Sequence, residues 1–541
     1  MSVARAAGLI ALVTLLARVV GFGRTLVFSK SVGTTGVGDI YQTINVIPNI
    51  VYEVAAGGVL AAVAVPLIAH QLGLGRTDDA DRTASALLTW AVMVLTPLSV
   101  LLVVLAPWLS GALLGERATD EEVTLGGHLL VLFAPQVLLY GVGIVLAGVL
   151  QARRRFLAAA LAPLLSSLVV IAAYLVYAVM VDHAATPANV SDAAVWALAG
   201  GTTLGVVVLA LPLLVPVLRA GVRLRPTLAF PDGLARRAAS LAGAGVVALV
   251  AQQAAVLTVL WITHHRTDVV GAVNVYAYVQ AVYLLPYAVL AVPIATSAFP
   301  ALAHSAAEES AGFVGTAARD TLAGALQGII LLTAGAAAVL MTVSQPVGVF
   351  FSNFDRGAGA GGGPALAALP GTLSAYAPGI VGFGVAALLT RALYVRGRPA
   401  LAAAAVAAGW AVAALLPLAV LPEGSSAGAT LGVLGVASSI GMTVSALALG
   451  LLVRRAWGVE ATHGSGRTLG AAVVAVAVAL GVGDVVSRAM PADSVWSALG
   501  SGFTVALATL ATYVVVMAVA DRSTLKRLRD RGRSRRRGSV A

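Results

Sequence analysis

Cysteine is absent from this chain, which excludes disulfides, thiolate metal sites and cysteine nucleophiles at the outset. Charge is scarce as well. Asp, Glu, Lys and Arg make up 11% of the 541 residues, against about 25% in an ordinary soluble domain. Lysine is nearly missing, with Lys30 and Lys526 the only two. No polar interval between the apolar runs is long enough for a soluble domain with its own core. Zinc-protease HExxH patterns and lysine-bearing phosphate loops are also missing. No carboxylate cluster at a loop face suggests a metal-dependent transferase. Neither catalytic residues, nor a cofactor, nor a resident metal is therefore expected.

What is present is apolar length. Hydrophobic residues are 59% of the chain and the mean hydropathy is +0.95. Fourteen runs of about 20 residues or more are candidate membrane spans. They lie near 7–30, 37–70, 84–110, 124–150, 156–181, 192–218, 238–263, 270–303, 316–344, 366–395, 399–421, 427–453, 468–488 and 496–520. The fold class read from this pattern is an all-α polytopic membrane protein. The first run continues past Arg18 with no small-residue cleavage site, so it reads as an uncleaved span rather than a signal peptide. Pro48 and Pro66 in the second run, and Pro286, Pro293 and Pro300 in the eighth, predict kinked helices.

The net charge of +11 would suggest nucleic acid in a soluble protein, but here no nucleic-acid partner is expected. The basic residues fall in alternate loops and in the tail. Placing both termini in the cytoplasm puts 27 of the 34 Lys and Arg inside and five outside, leaving Arg18 and Arg24 within the first span. The expected location is the bacterial plasma membrane. The polybasic tail DRSTLKRLRDRGRSRRRGSVA is expected to be disordered and to touch anionic membrane lipids.

An internal repeat is visible. AVPLIAHQ at 64–71 returns as AFPALAHS at 298–305, and QARRRFLAAALAP at 151–163 returns as YVRGRPALAAAAV at 394–406. Both offsets equal six spans, an even number, so the halves run parallel, as in the two lobes of alternating-access transporters. The expected organisation is an N-lobe over 1–220, a C-lobe over 221–460, two extra helices over 461–521 and the tail over 522–541.

Arg18 and Arg24 carry the chemical signal. An arginine near a bilayer centre costs roughly 2.5–3.5 kcal/mol on insertion scales, so two of them call for a function. One bland reading has Arg24 snorkelling to the outer interface and Arg18 paired with a carboxylate. The sharper reading sets both guanidinium groups against an anionic, phosphorylated headgroup, whose oxygens they match bidentately. Asp39 stands at a similar outer depth to Arg24 on the next helix, as a staple or a gate. Glu53 is a candidate partner for Arg18, and Asn49 and Tyr52 add hydrogen-bonding groups to the same helix. Gln280 and several tyrosines offer polar groups on the eighth span. HHRTD at 264–268 has metal-ligand residue types but reads as a solvated external turn.

The segments TLLARVVGFGRTLVF, GDIYQTINVIPNIVYEVAAGGVLAAVAVPLIA, YLLPYAVLAVPIATSAFPALA and LTRALYVRGRPA together resemble the MurJ/MviN family. These are lipid II flippases of the multidrug/oligosaccharidyl-lipid/polysaccharide exporter superfamily. The resemblance implies two six-helix lobes around a V-shaped cavity, with a groove for the polyprenyl tail at the last two helices. It also implies that Arg18, Arg24 and Asp39 occupy functional positions, and that lipid II is the cargo. Cell-wall synthesis or division proteins are conceivable partners. The chain departs from the family where many members carry further arginines: here stand Tyr52 and, in the eighth span, Gln280–Ala281. The seventh and eleventh spans lack the Asp, Glu and Asn of the sodium site described in some relatives, so none is expected. Alternatives are a flippase for another undecaprenyl-diphosphate-linked polysaccharide unit and, further off, a multidrug exporter, which would want carboxylates facing cationic drugs.

Overall fold

The computed structural model describes residues 3–54, 61–182, 185–231, 234–267, 269–310, 317–359 and 361–521. Among these residues every regular element is a helix, and thirteen helical stretches are long and apolar enough to cross a membrane. The fourteenth expected span, the second in order, is two helices, Gly36–Val51 and Ala61–Gly73, with residues 55–60 outside the described set. Gly57, Gly58 and the basic tail also lie outside it.

The chain divides into two compact units. The first comprises Met1–Gln253 together with two later segments, Leu260–Asn274 and Asp355–Gly363. The second comprises Ala254–Val259, Val275–Phe354 and Pro364–Ala541.

In the first unit the first span, Val3–Ser31, packs on the fifth, Phe156–Met180, and the fifth packs on the sixth. Small residues allow that approach. A Cβ on Gly201 would lie 2.3 Å from the Ala173 Cβ, and one on Gly205 would lie 2.4 Å from Val170. The centre is aromatic and hydrogen-bonded. The Tyr41 hydroxyl, fully buried, bonds the Tyr174 hydroxyl at 3.0 Å and the Thr202 hydroxyl at 2.8 Å. Phe28 stacks on the Tyr41 ring at 5.5 Å.

At one end of this unit the turn after the first span is clasped by the two later segments. The Asp355 carboxylate, 6% exposed, accepts bonds from the Ser29 hydroxyl at 2.7 Å and from the Thr34 amide, Thr34 hydroxyl and Gly357 amide at 2.8 Å each. Arg356 donates to the carbonyls of Ser31, Ala178 and Val181. Asn274 Nδ2 donates to the Gly33 carbonyl at 3.0 Å. Gly33 has φ +69, and a Cβ there would meet Asp355 and the Gly357 amide, so both conformation and space require glycine.

The second unit is built around the ninth span, Ala317–Thr342, the tenth, Leu369–Val395, and the twelfth, Ala427–Trp457. The eleventh, Pro399–Val420, meets the twelfth backbone to backbone: a Cβ on Gly409 would sit 2.4 Å from the Gly441 carbonyl, and one on Gly441 would sit 2.3 Å from that of Gly409. Trp457 is buried, donates to the Ala392 carbonyl at 3.1 Å and is covered by the Arg396 guanidinium at 3.8 Å. The thirteenth span, Ser465–Ala489, and the fourteenth, Val495–Ala520, pack on each other and on the ninth.

The kinks expected from proline take a specific form. Four residues after Pro48 the backbone makes a π turn, Tyr52–Val54, and directly after Pro286 it makes another, Tyr287–Ala291. In the second of these the Val292 amide reaches back five residues to the Tyr287 carbonyl, the widened step that defines a π turn. A third π turn, Trp196–Gly200, lies in the sixth span.

Candidate functional site in the first unit

Arg18 and Arg24 are both exposed on the first helix, and neither forms an ion pair with a described residue. Ideal helix geometry separates them by about 9 Å along the axis and roughly 120° around it. Arg24 lies one turn before Phe28 and on the same face, and Phe28 packs into the Tyr41–Tyr174 cluster. Its charge is accordingly close enough to act on the hydroxyls of Tyr41, Tyr140 and Tyr174. Arg24 thus faces helices of its own unit.

Asp39 is not brought to Arg24. It sits in the first turn of the helix Gly36–Val51, capped by Thr35, and is 9% exposed. Its carboxylate faces the backbone amides of Gly271 and Val273, where the eighth span begins, and one oxygen, Oδ1, has no hydrogen-bond partner within bonding distance. The amides of a helix start stabilise a carboxylate, so the eighth span takes the place expected for Arg24. The charge that acts on it is the like charge of Glu122.

Asn49, Tyr52 and Glu53 stand together. Asn49 Nδ2 donates to the Asn45 carbonyl at 2.7 Å, and its Oδ1 accepts from the Tyr140 hydroxyl at 3.2 Å. The Tyr52 and Tyr140 rings are 4.5 Å apart, tilted by 47°, and both are half-buried. Glu53 is half-buried and forms no ion pair with a described residue, so its expected pairing with Arg18 is not made. Gln280 lies in the second unit, within hydrogen-bonding reach of Tyr276 and Tyr376.

The HHRTD turn is packed rather than solvated. His264 Nε2 bonds the Thr43 hydroxyl at 2.7 Å, and the His265 ring stacks on Trp261 at 4.8 Å. Asp268 lies outside the described residues, among which no group of His, Cys, Asp and Glu could hold a metal ion. Sequence reasoning passed over Tyr140, Tyr174 and Asp355. Tyr140 could have been found from the repeat, because the register that aligns Gln151 with Tyr394 also aligns Tyr140 with Phe383.

The second unit holds an apolar slot of about 860 Å³ between the ninth, tenth, twelfth and thirteenth spans. Met341, Leu447, Leu451 and Leu480 line its body, and Arg454 and Ser465 stand at its polar end.

Comparison with known proteins sets these features in a family. The profile described as "Lipid II flippase MurJ" matches residues 28–499. The chain is 27% identical to a protein of Rhizobium meliloti (strain 1021) named "Probable lipid II flippase MurJ", over 62% of this chain and 60% of that one. It is 26% identical to a protein of the same name from Rhizobium tropici, over 54% and 53%. The chain thus spans only about 53–60% of the length of these two relatives. Among solved structures, "Lipid II flippase MurJ, inward closed conformation" matches with a TM-score of 0.72 at 17% identity, over 96% of this chain and 99% of that one. An inward-facing multidrug transporter of the MATE family matches with a TM-score of 0.61 at 15% identity, over 84% and 96%. These likenesses show a shared fold. With the family profile covering most of its length, this all-helical, multi-pass membrane chain belongs to the MurJ lipid II flippase family.

Proposed function

We propose that this chain carries lipid II, the lipid-linked peptidoglycan precursor, from the cytoplasmic to the outer leaflet by alternating access, with no covalent chemistry. The observation that carries the reading is a pair of guanidinium groups on one apolar helix, exposed and without a carboxylate among the described residues. An intramembrane charge kept unneutralised is kept for an ion that comes and goes. A diphosphate supplies two anionic groups with oxygens in the geometry that guanidinium prefers. Arg24, backed by tyrosine hydroxyls, is the principal contact and Arg18 the second. Asp39, Asn49, Tyr52, Glu53 and Gln280 serve as polar positions of the route.

The two six-span halves act as the moving lobes, and both termini lie in the cytoplasm, which the loop arginines favour. The slot beside the thirteenth span suits the isoprenoid tail, being apolar along its body with a cationic end for the headgroup side. The basic tail adds attraction to anionic lipid.

The test is rescue of a strain depleted of its lipid II flippase. Arg24→Ala is expected to abolish rescue and Arg18→Ala to weaken it, both at normal membrane expression. Growth with both replaced overturns the diphosphate contact. Rescue only of a strain lacking a different undecaprenyl-linked polysaccharide flippase would reassign the cargo.

A further inference from the structure

Each half of the chain carries the same local device. In the first unit the π turn Tyr52–Val54 presents Tyr52 to Tyr140 on the fourth span, Asp120–Ala152, with ring centroids 4.5 Å apart and planes tilted by 47°. In the second unit the π turn Tyr287–Ala291 presents Tyr287 to Phe383 on the tenth span, with centroids 4.3 Å apart and planes tilted by 48°. The internal repeat accounts for one side of the coincidence. The register that aligns Gln151 with Tyr394 places Tyr140 on Phe383, whereas the one that aligns Ala64 with Ala298 places Tyr287 on Glu53, one residue beyond Tyr52.

A π turn needs no aromatic pair, and an aromatic pair needs no π turn. Keeping both together, twice, points to use, and π turns recur at functional positions. Pure packing accounts poorly for the rings. Tyr41 and Tyr278, which do pack a core, are fully buried, whereas Tyr52, Tyr140, Tyr287 and Phe383 all remain half-exposed.

The surroundings select the ligand. In the first unit the tilted rings are bordered by the Asn49 amide and the Glu53 carboxylate, which are hydrogen-bond acceptors beside an apolar face. The charges of Arg24, which acts on Tyr140, and of Glu53, which acts on Tyr52, oppose one another and select no ion over these rings. A neutral ring with one face of C–H groups and a rim of hydroxyls suits them. That is a pyranose. In the second unit the pair is extended by Trp410, edge-on to Phe383 at 6.3 Å, giving a wholly aromatic version.

We propose that the Tyr52–Tyr140 pair, and its counterpart in the second unit, Tyr287–Phe383, are carbohydrate platforms that hold the sugar rings of the cargo's headgroup. This rests on the diphosphate reading and deepens it: Arg24 grips the phosphates and the neighbouring rings take the adjoining sugar.

The experiment compares two probes on the full chain in lipid nanodiscs: undecaprenyl diphosphate, and undecaprenyl diphosphate bearing a disaccharide. Tyr52→Leu, Tyr140→Leu and Tyr287→Leu are each expected to weaken the glycosylated lipid by about threefold to tenfold. Tyr52→Leu and Tyr140→Leu should weaken the bare diphosphate lipid less than the glycosylated one, and Tyr287→Leu should leave the bare lipid unchanged, which also shows that this variant has folded. Tyr52→Phe and Tyr52→Trp should retain the preference. The proposal is overturned if the Leu variants weaken both lipids alike, weaken neither, or are matched by Tyr52→Phe. Arg24→Ala is the separate control. If it binds both lipids normally, the diphosphate reading fails, while the preference for sugar still decides the platforms.

Discussion

Replacing Asp355 by alanine is expected to unfasten the clasp around the turn Val32–Thr35. Four donors converge on that carboxylate within 2.7–2.8 Å, two of them backbone amides, and its site is 6% exposed. Removing a buried charged partner from such a cluster costs about 3–5 kcal/mol, much of it from donors left without an acceptor. A loss of about 3 kcal/mol raises the local opening constant on the order of a hundredfold. The absence of native cysteine makes this measurable with one probe. Ser31 is 2% exposed and contributes its carbonyl, not its side chain, to Arg356. In nanodiscs, Ser31→Cys alone should react slowly with a maleimide, and Ser31→Cys combined with Asp355→Ala should react on the order of a hundred times faster. A gain below threefold would refute the view that these four bonds hold the segment closed.

Other expectations follow from single contacts. Tyr41→Phe deletes a hydroxyl shared by Tyr174 and Thr202 and should cost about 1–2 kcal/mol, read as a lower Tm in detergent. Gly409→Val forces a side chain against the Gly441 carbonyl and should lower Tm further or prevent folding; a wild-type Tm would contradict the close crossing. Gly450 faces open space in the slot of the second unit, so Gly450→Phe should fit without clash yet reduce rescue of a flippase-depleted strain at normal expression. Unimpaired rescue would remove the slot from the transport route.

Much of the architecture was legible because the membrane imposes it. Apolar runs of fixed length and prolines at two irregular turns read directly as spans and bends. The sites were less legible, for reasons particular residues make plain. Arg18 and Arg24 stand out because charge in an apolar run is expensive, and the structure leaves both exposed. The partner of Asp39 was misjudged because sequence depth suggests Arg24, whereas the carboxylate faces amides of a helix more than 200 positions away. Backbone amides carry no residue signature. The HHRTD turn looked solvated because its residues are polar, yet His264 reaches Thr43 and His265 covers Trp261. Asp355 carries no sequence signature of its own, and only the donors gathered from residues 29–34 reveal it as an anchor.

Because Leu260–Asn274 and Asp355–Gly363 belong with the first unit, that body is completed only after two thirds of the chain has been made. A break in the linker after the sixth span would yield an amino-terminal fragment lacking the acceptor for Ser29 and Thr34 and the amides facing Asp39. The two units of this chain are therefore not independent parts. A chimera that swaps one of them with a relative must carry both short segments across with it.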